Sequence, residues 1–354
     1  MLSAGGDRNI AHPSQPDNAK RTSVKILMTR REFATATGAA VLAPPAFAQT
    51  LTRVIPSSGE LLPAVGLGSA NELFILIDKS PVDKLEEKCR KLGVCLSILG
   101  PVLHEYQAYF NTPGKATRDK AAAIVQVLIA NGGRLIDTAS SYGEAESVLG
   151  DVIAAADLRD KLFIATKLET PDAEELRRSL GRLRTEKLDL LQLHNLRDPH
   201  QSLAPFREWK AHGVCRYIGI TSTSHDDFSA IGAVLEHERP DFVQIAYSLD
   251  DREAEKRILP LAAEVKAGVL TALPFGHGRL FSAVRGKSIP NWARVFADSW
   301  ARFFLKYLLG DPRVTAIIPG TTDPRHMRDN LDAMSGPLPD PEERQKMAMF
   351  IETL

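Results

Sequence analysis

The order of apolar runs in this 354-residue chain predicts an α/β fold, a single-domain (β/α)8 barrel of the TIM type. Eight short β-rich runs alternate with segments of helical periodicity, the pattern of a parallel sheet whose crossovers are helices. Eight such units favour closure over an open, doubly wound sheet. An open nucleotide-binding sheet would also need an early glycine fingerprint. Gly66-Leu-Gly68 and Gly276-His-Gly278 both lack its third glycine, and Phe281 stands where a Walker loop before Gly286-Lys287-Ser288 requires glycine.

The elements follow in order. Ile55 to Leu61, turning at Ser57-Ser-Gly59-Glu60, reads as an N-terminal β-hairpin leading into the strand Ala64-Val-Gly-Leu67. Ala121 to Ala130 places Ile124, Val125 and Leu128 on one helical face and stops at Gly132-Gly133. Three apolar strands then end in polar residues: Arg134-Leu-Ile-Asp137, Leu162-Phe-Ile-Ala-Thr-Lys167 and Leu188-Asp-Leu-Leu-Gln-Leu-His194. Between them, 146–156 carries Val148, Leu149, Val152 and Ile153. A second helix is expected from an N-cap at Thr170 with Pro171 first in the helix, and carries Leu176, Leu180 and Leu183. The remaining strands are Tyr217-Ile-Gly-Ile-Thr221, Asp241-Phe-Val-Gln244-Ile, Val269-Leu-Thr-Ala272 and Val314-Thr-Ala-Ile-Ile318. Helices are expected near 226–236, 253–266, 291–309 and 324–333. The tail beyond Ala333 reads as too short to close over a substrate.

Residues 1–48 form a different class of sequence. Arg30-Arg31 precedes an alanine-rich, moderately apolar stretch, and Ala46-Phe-Ala48 supplies a small-x-small cleavage pattern. This resembles a bacterial twin-arginine (Tat) signal, which implies the Tat export machinery as a partner, cleavage after Ala48 and a periplasmic location. The stretch, broken by Gly38, Pro44 and Pro45, is too short for a membrane anchor. Cleavage leaves 49–354 as the barrel. Either Met1 or Met28 could be the true start.

Composition narrows the function classes. Lys plus Arg equal Asp plus Glu at 44 each, so no basic surplus offers itself to nucleic acid. Cys89, Cys95 and Cys215 match neither a zinc finger nor a paired redox motif, and no two of the nine histidines form a close ligand pair on one element. A metal-dependent hydrolase is thereby disfavoured.

In a closed barrel the carboxyl ends of the strands meet on one rim, where side chains from several strands converge. Asp137, Lys167 and His194 end three of those strands, and Tyr142 follows the first, which brings an acid, a cation, an imidazole and a phenol around one spot. Carbonyl reduction needs such a set. These stretches also resemble one family, the aldo-keto reductases. Asp137-Thr-Ala139-Ser-Ser-Tyr142-Gly143 matches its D-x-A-x-x-Y-G signature, and the runs ending at Lys167 and His194 match its third and fourth strands. Gly213-Val-Cys-Arg216-Tyr-Ile-Gly219-Ile-Thr221-Ser222 matches the fifth, and Ile317-Ile-Pro319-Gly-Thr321-Thr with Asn330 the phosphate-binding end. The likeness spans about 53–70 and 107–333.

The resemblance implies an NAD(P)H-dependent oxidoreductase acting on a small-molecule carbonyl. Tyr142 would give the proton as hydride reaches the carbonyl carbon. Lys167 would make the ionised phenol less costly, Asp137 would hold the ammonium, and His194 would hydrogen-bond the carbonyl oxygen. Expected cofactor contacts are Thr221, Ser222, Gln244, Pro274, Gly276, Gly320, Thr321, Thr322, His326, Asp329 and Asn330. The family's aromatic nicotinamide platform falls on Thr271 or Ala272 here. Gly320 replaces a common Lys, and His326 the Arg that clamps the 2′-phosphate, a poorer fit to a phosphate than a guanidinium fork. NADP(H) is expected from the family, with NAD(H) open. A second departure is an insertion over about 71–106, where Ser80-Pro81 looks like a helix start, with Leu85, Cys89 and Leu92 on one face. It reads as a tolerated excursion, with a lid as the sharper alternative. The alternative function is a nucleotide-binding, redox-sensing barrel with little turnover.

Overall fold

The computed structural model describes residues 50–70, 115–196 and 203–354. The leader, the insertion after the first strand and the segment around Gln107 to Asn111 lie outside the described residues. Ten strands are present among those described: β1 Thr52–Val54, β2 Leu61–Pro63, β3 Leu67–Gly68, β4 Leu135–Asp137, β5 Phe163–Leu168, β6 Leu188–Leu193, β7 Cys215–Ser222, β8 Phe242–Ala246, β9 Gly268–Ala272 and β10 Ala316–Ile317. β3 to β10 form one parallel sheet in sequence order. Parallel bridges Val65↔Ile317 and Gly68↔Gly320 join its two edges and close the barrel. Closure brings backbones together at Gly68, where a Cβ would stand 2.6 Å from the Ile318 carbonyl oxygen. Only glycine fits there.

The period-2 alternation of the strands sorts side chains between two cores. Ile136, Ile164, Leu191, Ile218, Ile220, Val243, Ile245, Val269 and Ile317 face the helices and belong to the larger apolar cluster. The other set points into the barrel: Leu135, Phe163, Ala165, Leu190, Tyr217, Phe242, Leu270 and Ala316. Followed toward the carboxyl end, that inward row changes character. Leu135 gives way to Asp137, Ala165 to Lys167, Leu190 to Gln192, and Phe242 to Gln244, all buried.

The hairpin β1–β2 closes the opposite mouth. Ile55 and Leu62 are fully buried in the interior cluster. Glu60 on the turn accepts from Arg134 at 2.5 Å and from the Tyr217 hydroxyl at 2.8 Å, and it also pairs with Arg216.

Several boundaries differ from expectation. The helix expected to begin at Thr170-Pro171 runs over Ala173–Leu183 and is capped by Asp172, whose side chain accepts from the Glu174 amide. An aspartate outranks a threonine as N-cap. The helix expected over 291–309 is a 3-10 turn, Asn291–Ala293, then a helix Trp300–Leu309 started by the Ser299 hydroxyl. That expected over 253–266 is a 3-10 turn, Glu253–Glu255, then Ile258–Val265, whose third residue is Pro260. The tail contains a helix that the reading omitted, Pro341–Glu352, with a capping box between Asp340 and Glu343. Arg344 on it donates to the Tyr307 carbonyl and the Tyr247 hydroxyl, and Met347 is buried.

Candidate active site

The polar end of the inward row opens into a cleft of about 830 Å³, within the usual range for small-molecule sites. Asp137 ends β4, which is hydrogen-bonded to β5 in the register Asp137↔Ala165, so Lys167 stands one inward step above it. The Lys167 ammonium donates to Asp137 Oδ2 at 2.5 Å and to the Thr138 carbonyl at 2.6 Å. Gln192 and Gln244 donate to the two oxygens of the same carboxylate at 3.2 and 3.4 Å. A fully buried ammonium is costly unless paired and hydrogen-bonded, and this one is both.

Tyr142 reaches the same spot from the loop after β4. That loop is held against β5, Thr138 N donating to Ala165 O at 2.9 Å and Ser140 N to Lys167 O at 3.0 Å. Lys167 Nζ lies 4.9 Å from the Tyr142 ring centroid and acts on the phenol by its charge. His194 stands edge-on to Tyr142, ring centroids 5.6 Å apart, with its backbone amide on Leu168 O at 2.8 Å. Its Nδ1 is 2.6 Å from Glu169 Oε1 and 3.3 Å from Ser141 Oγ. All four residues read from the sequence therefore converge.

The electrostatics set burial against charge. Burial pushes the Tyr142 phenol above its ordinary value, and the Lys167 ammonium, already neutralised by Asp137, offsets only part of this. Burial pulls Lys167 down, but Asp137 and Tyr142 outweigh it and hold the ammonium above its usual range. For His194, burial and then Lys167 dominate, so it sits below the usual histidine value despite Glu169.

Most of the expected cofactor positions line the cleft: Thr221, Gln244, Pro274, Gly320, Thr321, Thr322, His326, Asp329 and Asn330. Two do not. The Ser222 hydroxyl donates to Asp227 and accepts from the Ser224 amide, and Thr223 stands on the cleft wall instead. Successive strand residues face opposite ways. Gly276 lies in a neighbouring recess, at φ +56°, where a Cβ would meet the Asp250 carboxylate at 2.6 Å.

At the platform position Ala272 lines the cleft, while Thr271 is buried beside it with an unpartnered hydroxyl. Phe275, Phe281 and Trp300 supply aromatic wall further along. Gln244 Oε1 is a buried acceptor without a partner, on a residue that lines the cleft. At the far end, Arg302 is committed to Asp298, Asp329 and Asp332, and Arg325 to Asp323. Asp323 also caps the helix Pro324–Asp332 that begins at the cleft, and Arg325 holds its carboxyl down to about 2.

Sequence reasoning missed Gln192, Glu169 and the aromatic wall. Gln192 was findable, since it lies two residues before His194 on the same strand face. Trp300 carried no local signal, because it meets the cleft through the packing of a helix onto the barrel.

The Aldo/keto reductase family profile matches residues 107–347, more than half of the chain. The chain belongs to the aldo/keto reductase family. As a member it is an NAD(P)H-dependent oxidoreductase. It is 26% identical over 258 residues to the Bacillus subtilis oxidoreductase YqkF, covering 61% of this chain and 82% of that protein. To the NADH-specific methylglyoxal reductase of Escherichia coli it is 24% identical over 277 residues, covering 61% and 84%. Among solved structures, the aldo-keto reductase from Klebsiella pneumoniae in complex with NADPH superposes with a TM-score of 0.64 at 22% identity. It covers 85% of this chain and 95% of that one, a likeness of fold.

Proposed function

We propose that this aldo/keto reductase converts an aldehyde or ketone to the alcohol, with Tyr142 as proton donor. The cleft residues would hold a reduced nicotinamide dinucleotide, which would supply hydride to the carbonyl carbon. As negative charge grows on the carbonyl oxygen, the Tyr142 O–H bond breaks and its proton moves to that oxygen, leaving a phenolate beside the Lys167 ammonium. Lys167 matters at that moment, because the opposite charge lowers the cost of the phenolate in a site that burial otherwise makes hostile to it. Asp137 keeps the ammonium in place. His194 orients the substrate oxygen. The observation that carries the reading is the ammonium of Lys167, paired with the Asp137 carboxylate and 4.9 Å from the Tyr142 ring centroid, at the floor of a cleft.

Gln244, with its unpartnered Oε1, and Thr221 would hold the carboxamide end of the nucleotide, while Thr321, Thr322, His326, Asp329 and Asn330 would line its adenosine end. NADP(H) is the first choice, in keeping with the NADPH complex of the Klebsiella protein. NAD(H) is the second, in keeping with the NADH-specific Escherichia coli relative and with the carboxylates already on Arg302 and Arg325. Purified protein given either reduced cofactor and a panel of aldehydes, followed at the nicotinamide absorbance, tests the reading. Turnover supports it. Nucleotide binding, read as quenching of tryptophan fluorescence, with no turnover across the panel would favour the redox-sensing alternative.

From the Arg30-Arg31 leader we also propose Tat export to the periplasm with cleavage after Ala48. A tagged chain with both arginines replaced by lysine should stay in the cytoplasm at full length. An unchanged compartment and size would contradict export.

A further inference from the structure

The carboxylate beside His194 belongs to no part of the proton-donor set. Glu169 follows β5 directly, and its two oxygens are both used: Oε1 lies 2.6 Å from His194 Nδ1, and Oε2 accepts from Asn195 Nδ2 at 3.2 Å. Ser141 Oγ approaches the same ring nitrogen at 3.3 Å. The Nδ1 edge is therefore occupied, and Nε2 is the edge left for the cleft that His194 lines. An ionised carboxylate only accepts, so Nδ1 must carry the hydrogen, and Nε2 of the neutral ring then holds a lone pair and no hydrogen.

We propose that Glu169 is a positioning residue that fixes His194 in the Nδ1–H tautomer, so that His194 can donate to a carbonyl oxygen only as the imidazolium. The inference rests on the reductase reading above for its kinetic consequence, but not for its structural one. No bond is made or broken at His194. Its role is to orient the oxygen that Tyr142 protonates.

The charged and titratable groups facing the ring, among the described residues, are Lys167 and Glu169 from β5 and its end, and Asp137 and Tyr142 from β4 and its loop. Burial and Lys167 disfavour the imidazolium, while Glu169 and Asp137 favour it. The balance leaves the ring neutral at pH 7, and the donor form grows as pH falls below the ordinary histidine range. Carbonyl reduction should therefore rise toward acid pH. Loss of Glu169 acts in two ways. The midpoint moves lower because a favourable charge is gone, and the tautomer is released because the Ser141 hydroxyl, unlike a carboxylate, can also donate to Nδ1.

The test is imidazole 15N NMR of His194 in the purified protein, with the parent, Glu169→Ala and Glu169→Asp compared, beside kcat/KM for reduction from pH 5 to 9. The parent and Glu169→Asp should show the Nδ1–H tautomer. Glu169→Ala should admit the Nε2–H form and titrate roughly half a pH unit lower, about a threefold loss of imidazolium at fixed pH, the size suited to a half-exposed pair. Its acid-side rise in kcat/KM should flatten in step. An Nε2–H parent, or a His194 tautomer and midpoint unchanged in Glu169→Ala, would overturn the proposal. Because the resonances are read without substrate, an enzyme silent on every carbonyl would defeat the reductase reading and leave this measurement standing.

Discussion

The two ends of this barrel are built from the same strands, two to four residues apart, and do opposite things. At the hairpin end Phe163, Tyr217 and Phe242 pack ring against ring with centroids 5.6–6.2 Å apart, under Ile55 and Leu62. At the rim end the same inward rows carry Asp137, Lys167, Gln192 and Gln244, in a network whose glutamine oxygens have no protein partner. The first end stabilises by excluding water from apolar area. The second is tolerated only because each charge is countered. Conserving a strand's alternation while changing its residue type along the axis thus divides one structure between stability and chemistry.

That division can be broken or sharpened by substitution. The largest effect is expected from Lys167→Met, which strands the buried Asp137 carboxylate: about 3–5 kcal/mol of stability by urea denaturation and loss of turnover by roughly 10²–10⁴-fold or more. Pairing it with Asp137→Leu should restore much of the stability and none of the turnover. If activity returned with stability, the rim would be a structural device. Phe163→Ala, at the other end, should cost about 3–5 kcal/mol while nucleotide affinity and turnover per folded molecule stay near the parent at low temperature. Gln244→Ala removes a buried donor to Asp137 and should cost about 1–2 kcal/mol by urea denaturation, while it weakens nucleotide binding about 10-fold, a loss of roughly one hydrogen bond, read by fluorescence titration. Smallest of all, Arg134→Ala removes a half-exposed partner of Glu60 and should shift stability by less than about 1 kcal/mol.

The pH dependence follows from the same burial. With Tyr142 pushed up, the phenol remains a donor across neutral pH and loses its proton only in the alkaline range above its ordinary value, so reduction should not fail there through Tyr142 before pH 10. Any earlier fall on the alkaline side should follow His194, whose imidazolium is lost below the ordinary histidine value.

Much of this was legible in the chain. The eight-strand order, the hairpin and the convergence of Asp137, Tyr142, Lys167 and His194 follow from local periodicity and from the rule that barrel strands share a rim. What was not legible depends on direction and packing. Ser222 and Thr221 are adjacent letters with the same hydroxyl, and only the strand's facing separates the one on the cleft from the one on Asp227. Gly276 looks like a cofactor glycine in sequence, but its positive φ serves a turn over Asp250. Asp340-Pro-Glu-Glu343 did contain a readable capping box. The upward shift of Tyr142 could not be read, because it depends on how deeply a loop residue is buried and on Asp137 spending much of the charge of Lys167.

The central claim is that Tyr142 gives the proton and does not hold the nucleotide. Tyr142→Phe keeps the ring and removes the hydroxyl, so turnover with reduced cofactor and an aldehyde accepted by the parent should be abolished, while quenching of tryptophan fluorescence by the nucleotide should titrate as in the parent. Equal turnover in Tyr142→Phe, with binding intact, would contradict the account.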